Sequence, residues 1–292
     1  MSASRLEVFA QAFAPVMDHP SPALALSSFT GSSAAFAAAV LAIHPPKDGV
    51  PFVLAVTPGL PEADVLADDL SVLSAESGVR VLDFPPVLED DASATAARLR
   101  VSAALGAYRL RPYPLVIVAP LPALLKGVPP SAAIAAATLR LSVAPDAAAA
   151  LTFAALQEKL LSGGYERVAE VEAPGTFSVR GGVLDVWAAG DERPVRAEFF
   201  GDTLDALRVF NPATQISTGR IDAVEIPPVS VSAADKSRKL LEVLPDGCTV
   251  LWLEHNAYPE GLRTVANAAR CVYTGDPAPR DVPSAPFQAS PR

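Results

Sequence analysis

Along this 292-residue chain the spacing of hydrophobic and polar positions changes character twice. From Ala23 to Leu125, short apolar runs alternate with longer amphipathic stretches. Ala23–Ser27, Pro51–Val56, Val79–Phe84 and Leu115–Ala119 read as strands, and the unbroken apolar runs at 51–56 and 115–119 as buried ones. Between them Ser32–Ile43, Pro61–Ala75 and Asp91–Leu110 read as helices, the last with Asp91 or Ser93 as cap, and Pro120–Leu125 as a short one. Strands separated by such helices imply a parallel sheet covered on both faces, of the nucleotide-fold type.

Near residue 130 the period shortens. Thr138–Val143 predicts a strand and Asp146–Leu161 an amphipathic helix stopped by Gly163-Gly164. Arg167–Glu172, Thr176–Arg180, Val183–Trp187, Val195–Phe200 and Leu204–Phe210 then follow as short strands. Only Gly, Pro and Asp turns separate them, so an antiparallel sheet with one helix is expected. Past residue 222 a helix, Asp235–Leu244, and strands at Cys248–Leu253 and Ala269–Tyr273 return. That segment is too small to stand alone and is expected to complete the first sheet.

The predicted fold class is therefore α/β. A parallel-sheet nucleotide-fold domain is built from residues 1–130 and 223–275, with an inserted α+β domain at 131–222 carrying an antiparallel sheet. The proline- and serine-rich stretch Asp276–Arg292 reads as a linker or disordered tail, as in a piece of something longer.

Composition narrows the function classes. Net charge −9 and a pI near 4.9 argue against binding nucleic acid through the overall field. Cys248 and Cys271 cannot form a disulfide framework, and with His19, His44 and His255 scattered along the chain they make no zinc set. The three histidines read as surface or loop residues. No signal-peptide pattern opens the chain and no apolar run reaches the roughly eighteen residues of a membrane span. A cytoplasmic protein without membrane contact is expected.

Candidate chemistry is thin. Ala25–Ala34 lies where a phosphate-binding loop belongs, between the first strand and its helix. Gly31 and Ser33 suit such a loop, but Ser32 stands where a lysine must reach the phosphates, and the leading glycine is missing. A helix N-terminus supplies only about half a unit charge, so Gly31, Ser32 and Ser33 form a degenerate loop not expected to bind ATP. The acidic run Glu89-Asp90-Asp91 reads as a solvated helix start rather than a metal box. No catalytic residue, metal or cofactor is expected.

The arginine-bearing strands carry more. Alternation from Val195 sends Val195, Ala197 and Phe199 to one face and Arg196, Glu198 and Phe200 to the other. A face mixing arginine with a large aromatic has the make-up of a protein-binding hot spot, and Arg193 and Arg208 would extend it. Arg180 ends an earlier strand before Gly181-Gly182, a pair suited to a sharp turn or close backbone approach.

Three segments then carry a resemblance. Arg180-Gly-Gly-Val-Leu-Asp-Val-Trp187, Arg196-Ala-Glu-Phe-Phe-Gly-Asp202 and Leu207-Arg-Val-Phe-Asn-Pro-Ala-Thr-Gln215 resemble a signature shared by the bacterial excision-repair helicase UvrB and the transcription-repair coupling factors. The absent lysine at Ser32, and the absence of the long tyrosine-rich hairpin that UvrB carries, favour the coupling factors. The resemblance implies an N-terminal module that has lost nucleotide binding and docks the damage-recognition ATPase UvrA, bringing it to stalled RNA polymerase. By motif the contact falls on Arg180, Arg196 and Phe200, with Asp185 and Glu198 as structural partners of the arginines. It further implies that RNA polymerase, DNA and the translocase motors engage regions outside this chain, and that the parent's C-terminal region covers the docking face. The alternative is a UvrB-like ATPase fragment.

Overall fold

The computed structural model describes residues 5–19, 21–27, 32–86, 92–125, 127–144, 151–188, 191, 193–229, 238–257, 268–274 and 284–286. In chain order the first segment holds α1 (Arg5–Met17), β1 (Ala23–Ser27), α2 (Ser33–Ile43), β2 (Phe52–Thr57), α3 (Leu60–Ser77), β3 (Arg80–Asp83), α4 (Ala92–Leu110), β4 (Leu115–Pro120), α5 (Leu121–Leu124) and β5 (Gly127–Val128). Next come α6 (Ser131–Ala137), β6 (Leu139–Ser142), α7 (Phe153–Ser162), β7 (Glu166–Arg167), β8 (Thr176–Arg180), β9 (Val183–Val186), β10 (Val195–Phe200), β11 (Thr203–Phe210), β12 (Ser217–Ile221) and β13 (Ala223–Ile226). The last segment holds β14 (Arg238–Lys239), α8 (Leu240–Val243), β15 (Cys248–Trp252), β16 (Ala268–Thr274) and β17 (Ser284–Pro286).

The chain divides into two units: residues 1–86, 104–127 and 238–292, and residues 87–103 with 128–237. In the first, seven parallel strands run in the order β17-β1-β16-β15-β2-β4-β3. The C-terminal strands β15 and β16 lie between β1 and β2, so one sheet is assembled from two distant stretches of chain. Every residue of β2 and β4 is buried, the mark of strands covered on both faces. Helix α2 is alanine-rich, and its buried Ala35, Ala37, Ala38, Ala39 and Ala42 join the core under the sheet. Helix α3 begins after extended Gly59, with Pro61 in its first turn, and ends at Gly78 in the left-handed region (φ 70°).

The second unit pairs its strands β12-β11-β10-β9-β8-β7. All neighbours are antiparallel except β7, which runs parallel to β8. Leu156 and Leu160 of α7 pack with Phe177, Leu184, Val186, Val195, Ala197 and Leu207 to form the core beneath one face. A two-stranded ribbon of β6 and β13 completes the unit.

Several sequence expectations are corrected. The helix expected over Asp146–Leu161 starts at Phe153, because Thr152 caps it by accepting from the Ala155 N–H at 3.2 Å; residues 145–150 lie outside the described set. The strand expected over Arg167–Glu172 shrinks to Glu166–Arg167, a sheet edge with a single neighbour. The helix expected over Asp235–Leu244 is helical only at Leu240–Val243, with Arg238–Lys239 extended, 231–237 not described, and Pro245 just beyond. Within the expected tail, Ser284–Pro286 adds an edge strand to β1. Helices α1 and α6 and strands β12 and β13 were not anticipated. Finally, His255 is buried, its Nδ1 at 2.9 Å from the Thr274 carbonyl oxygen, and is no surface residue.

Candidate functional site

The outer face of the second unit's sheet is built by register. β10 opposes β9 and β11 so that Ser178, Asp185, Arg196, Arg208 and Arg220 form one row across five strands. Arg180, Val183 and Glu198 form the next row. A register shift between Glu198 and Phe199 leaves Phe199 on the core side, its ring 5.0 Å from that of Phe153, and Phe200 on the outer side. Arg180, Arg196 and Phe200 thus share one face of one sheet.

Two tight turns fix the exposed end of that face. Arg180 pairs with Val183 across Gly181-Gly182, and Gly181 has φ 60°. At Gly182 the backbone itself is close: an added Cβ would lie 2.6 Å from the Phe199 carbonyl oxygen, while the Gly182 carbonyl accepts from the Phe199 N–H at 2.8 Å. Phe200 pairs with Thr203 across a second two-residue turn, in which the Asp202 carboxylate accepts from the N–H of Phe153 at the start of α7, at 3.1 Å. The backbone that carries Phe200 is thus fixed on both sides, while its side chain is 87 % exposed.

The arginines differ in their environment. The Arg196 guanidinium is bidentate on Asp185, with Nε to Oδ1 at 2.7 Å and Nη2 to Oδ2 at 2.8 Å. Its Nη1 donates to the Gln215 carbonyl at 3.3 Å, and its plane lies 4.8 Å from the Phe210 ring centre. The hydrogen bond to Asp185 is the main cause that raises its pKa above the ordinary arginine value, burial opposing it and the charges of Asp185 and Glu198 adding to it. Only 21 % of its side chain is exposed, against 4 % for Asp185. Arg208 donates to Glu198 at 2.9 Å, so Asp185 is the partner of Arg196, whereas Glu198, expected to partner Arg180 or Arg196, is hydrogen-bonded to Arg208 instead. Arg180, 52 % exposed, reaches Glu170 at 3.4 Å. Arg193 and Arg220 are exposed and have no ion-pair partner among the described residues.

The third motif segment forms the turn beneath Arg196. The Asn211 side-chain oxygen accepts from the N–H groups of Ala213 and Thr214 at 2.9 and 3.1 Å. Gln215 sits in the left-handed region (φ 59°) and donates its amide to the carbonyls of Val171 at 3.2 Å and Pro212 at 2.7 Å. Neither this turn's role nor Arg220 was visible in the sequence, because β12 has Gly219 at its centre and no apolar alternation.

In the first unit, Gly31 lies outside the described residues, while Ser32 and Ser33 open α2, and the Ser32 side chain makes no capping bond. A cleft of about 540 Å³ lies past the carboxyl ends of β2, β15 and β16, the place where open α/β sheets hold ligands. Ala34, Val65, Leu66 and Leu253 line it, together with three carboxylates, Glu62, Asp69 and Glu254. No lysine or arginine is among its described lining residues. Glu89, Asp90 and Asp91 are outside the described residues, and among those described no group of three or more His, Cys, Asp or Glu could hold a metal ion. No described helix is long and apolar enough to cross a membrane.

The UvrB interaction domain family matches residues 146–231, most of the second unit. The chain is 33% identical over 190 residues to a transcription-repair-coupling factor of Myxococcus xanthus, covering 62% of this chain and 15% of that protein. It is 27% identical over 195 residues to the coupling factor of Bacillus subtilis, covering 65% and 16%. Against UvrABC system protein B of Thermotoga neapolitana the identity is 32% over 93 residues, covering 31% and 14%. The chain therefore spans about a sixth of the length of the coupling factors it matches. The arginine-lined sheet, its hairpin glycines and the Asn211–Gln215 turn all lie inside residues 146–231, the segment that matches the UvrB interaction domain family, in a chain similar to transcription-repair-coupling factors and to UvrB.

Proposed function

We propose that this chain is a non-catalytic adaptor module of a transcription-repair coupling factor. Its sheet face bearing Arg180, Arg196 and Phe200 docks UvrA, so that excision repair is brought to stalled RNA polymerase. Phe200 carries the reading. A phenylalanine 87 % exposed on a hairpin pinned at both ends has no folding role that explains its position. Its burial against a partner would contribute about 1.5–3 kcal/mol, and an aromatic side chain has only two torsions to order on docking. Exposed Arg180 and Arg220 put positive charge on the same sheet face in a chain of net charge −9, which suits an acidic partner surface.

The carboxylate-lined cleft of the first unit supports the adaptor reading over a nucleotide-driven one. Triphosphate charge placed among Glu62, Asp69 and Glu254 would be repelled, with no cation among the described lining residues to offset it. RNA polymerase and DNA would be engaged, and the translocase motor carried, by regions of the parent protein outside this chain.

The test is titration of purified UvrA against the chain and its Phe200→Ala variant. Binding of the parent, weakened ten-fold or more in the variant with an unchanged unfolding midpoint, is the expected result. Equal affinities would remove Phe200 from the interface and the adaptor reading with it.

A further inference from the structure

Arg196 and Phe200 share the docking face but are built for different work. Phe200 is open to solvent, whereas Arg196 is consumed by its own domain. Three of the five guanidinium N–H donors are engaged, two on Asp185 and one on the Gln215 carbonyl, and one planar face rests on Phe210. Moving this guanidinium onto a partner's carboxylate would strand Asp185, 4 % exposed, as a buried charge without its cation. Arg180 has no such restraint, since its neighbour Glu170 is half exposed and water can replace the contact.

The group that Arg196 holds is the Asn211–Gln215 turn. Gln215 is in the left-handed region, which a non-glycine residue adopts only when its surroundings hold it there. The turn leads directly into β12, and β12 carries the exposed Arg220 across from Arg208. The chain of contacts Asp185–Arg196–Gln215 therefore fixes where the edge of the docking face lies.

We infer that Arg196 is a positioning residue of this face: it docks the Asn211–Gln215 turn and β12 against the sheet, and the partner is touched by Arg180, Phe200 and Arg220. This rests on the docking reading above, and the two are separable. The experiment compares UvrA affinity with amide hydrogen exchange over residues 211–221 in the parent chain, Arg196→Ala, Gln215→Gly, the paired replacement Asp185→Leu with Arg196→Met, and Phe200→Ala. A buried ion pair replaced by apolar side chains of similar size often leaves the fold intact, so the paired variant removes the guanidinium without stranding a charge.

If Arg196 positions, affinity follows protection. Every variant that exchanges faster over 211–221 binds about ten-fold more weakly or worse, Gln215→Gly included although it keeps the guanidinium. Every variant with native exchange, whether or not it keeps Arg196, binds within about three-fold of the parent. If affinity instead follows the guanidinium, lost in both Arg196 variants and kept in Gln215→Gly whatever their exchange, then Arg196 touches the partner and the inference is overturned. Phe200→Ala, with native exchange over 211–221, reads the docking proposal alone and is set apart from this correlation. Parent-like binding there would sink the docking reading, independently of how the other variants divide.

Discussion

The two large sheets among the described residues use their faces in opposite ways. β2 and β4 of the parallel sheet are buried at every position, so side chains of either parity point into core. Chemistry there is confined to strand ends, where the carboxylate-lined cleft lies. In the second unit the apolar core around α7 lies beneath one face of the sheet, and the other face is buried only in part, at Ser178, Asp185 and Phe210. That second face is a lattice of charge, with Asp185 against Arg196 and Glu198 against Arg208, and with Phe200 left open at one end. A sheet covered on both faces is a scaffold, while one whose second face is covered only in part has a surface to offer.

The largest expected effect tests that contrast by parity. Asp placed at Ile117 or at Val118 should cost several kcal/mol in either case, because both are buried and neither has a partner for a carboxylate. In β10, Ala197→Asp should be as damaging, whereas Glu198→Ala should cost under about 1 kcal/mol, removing one half-exposed ion pair. Urea unfolding of the four variants reads this directly, and a harmless Asp at either parity of β4 would break the comparison.

A second consequence concerns alkaline pH. Burial, helped by the nearby Cys271, pushes the Cys248 thiol from 9.0 up to about 12. Its native pKa is raised, so the unfolded chain releases the proton first. The stabilisation is complete below about pH 9 and is lost as pH climbs toward 12. Between pH 8 and 10.5 the urea midpoint of the parent should fall more steeply than that of Cys248→Ala. Parallel slopes would show that the thiol titrates as if exposed.

The smallest effect sharpens the account of the second unit. Thr152→Ala removes the oxygen that accepts from the Ala155 N–H and should cost about 1 kcal/mol, seen as a lower midpoint. Because Asp202 also accepts at this helix start, from Phe153, the loss should stay near that value rather than melt α7.

Much of the fold was legible in the chain because it is written locally. β1, β8 and β10 have the bounds that alternation or an apolar run assigns them, and Gly181-Gly182 and Gly201-Asp202 mark their turns. The face holding Arg196, Glu198 and Phe200 followed from period two alone. β12 escaped because polar Thr218, Gly219 and Arg220 give no such signal, and its existence depends on β11 offering an edge. The Arg167–Glu172 expectation failed for the converse reason, as alternation there lacks a second neighbour to pair with.

The sequence by itself determined which residues alternate, where turns are cheap, and that no lysine stands at Ser32. It did not determine which acid each arginine meets. Asp185 lies eleven residues from Arg196 and Gln215 nineteen beyond it, and their convergence on one guanidinium follows from strand register and turn geometry together. The three carboxylates of the cleft likewise come from α3 and the end of β15, more than 180 residues apart in the chain. Periodicity is a property of neighbours along the chain. Pairing, burial of charge and the shape of a cleft arise only when strands distant in sequence are hydrogen-bonded side by side, and only the tertiary structure decides them.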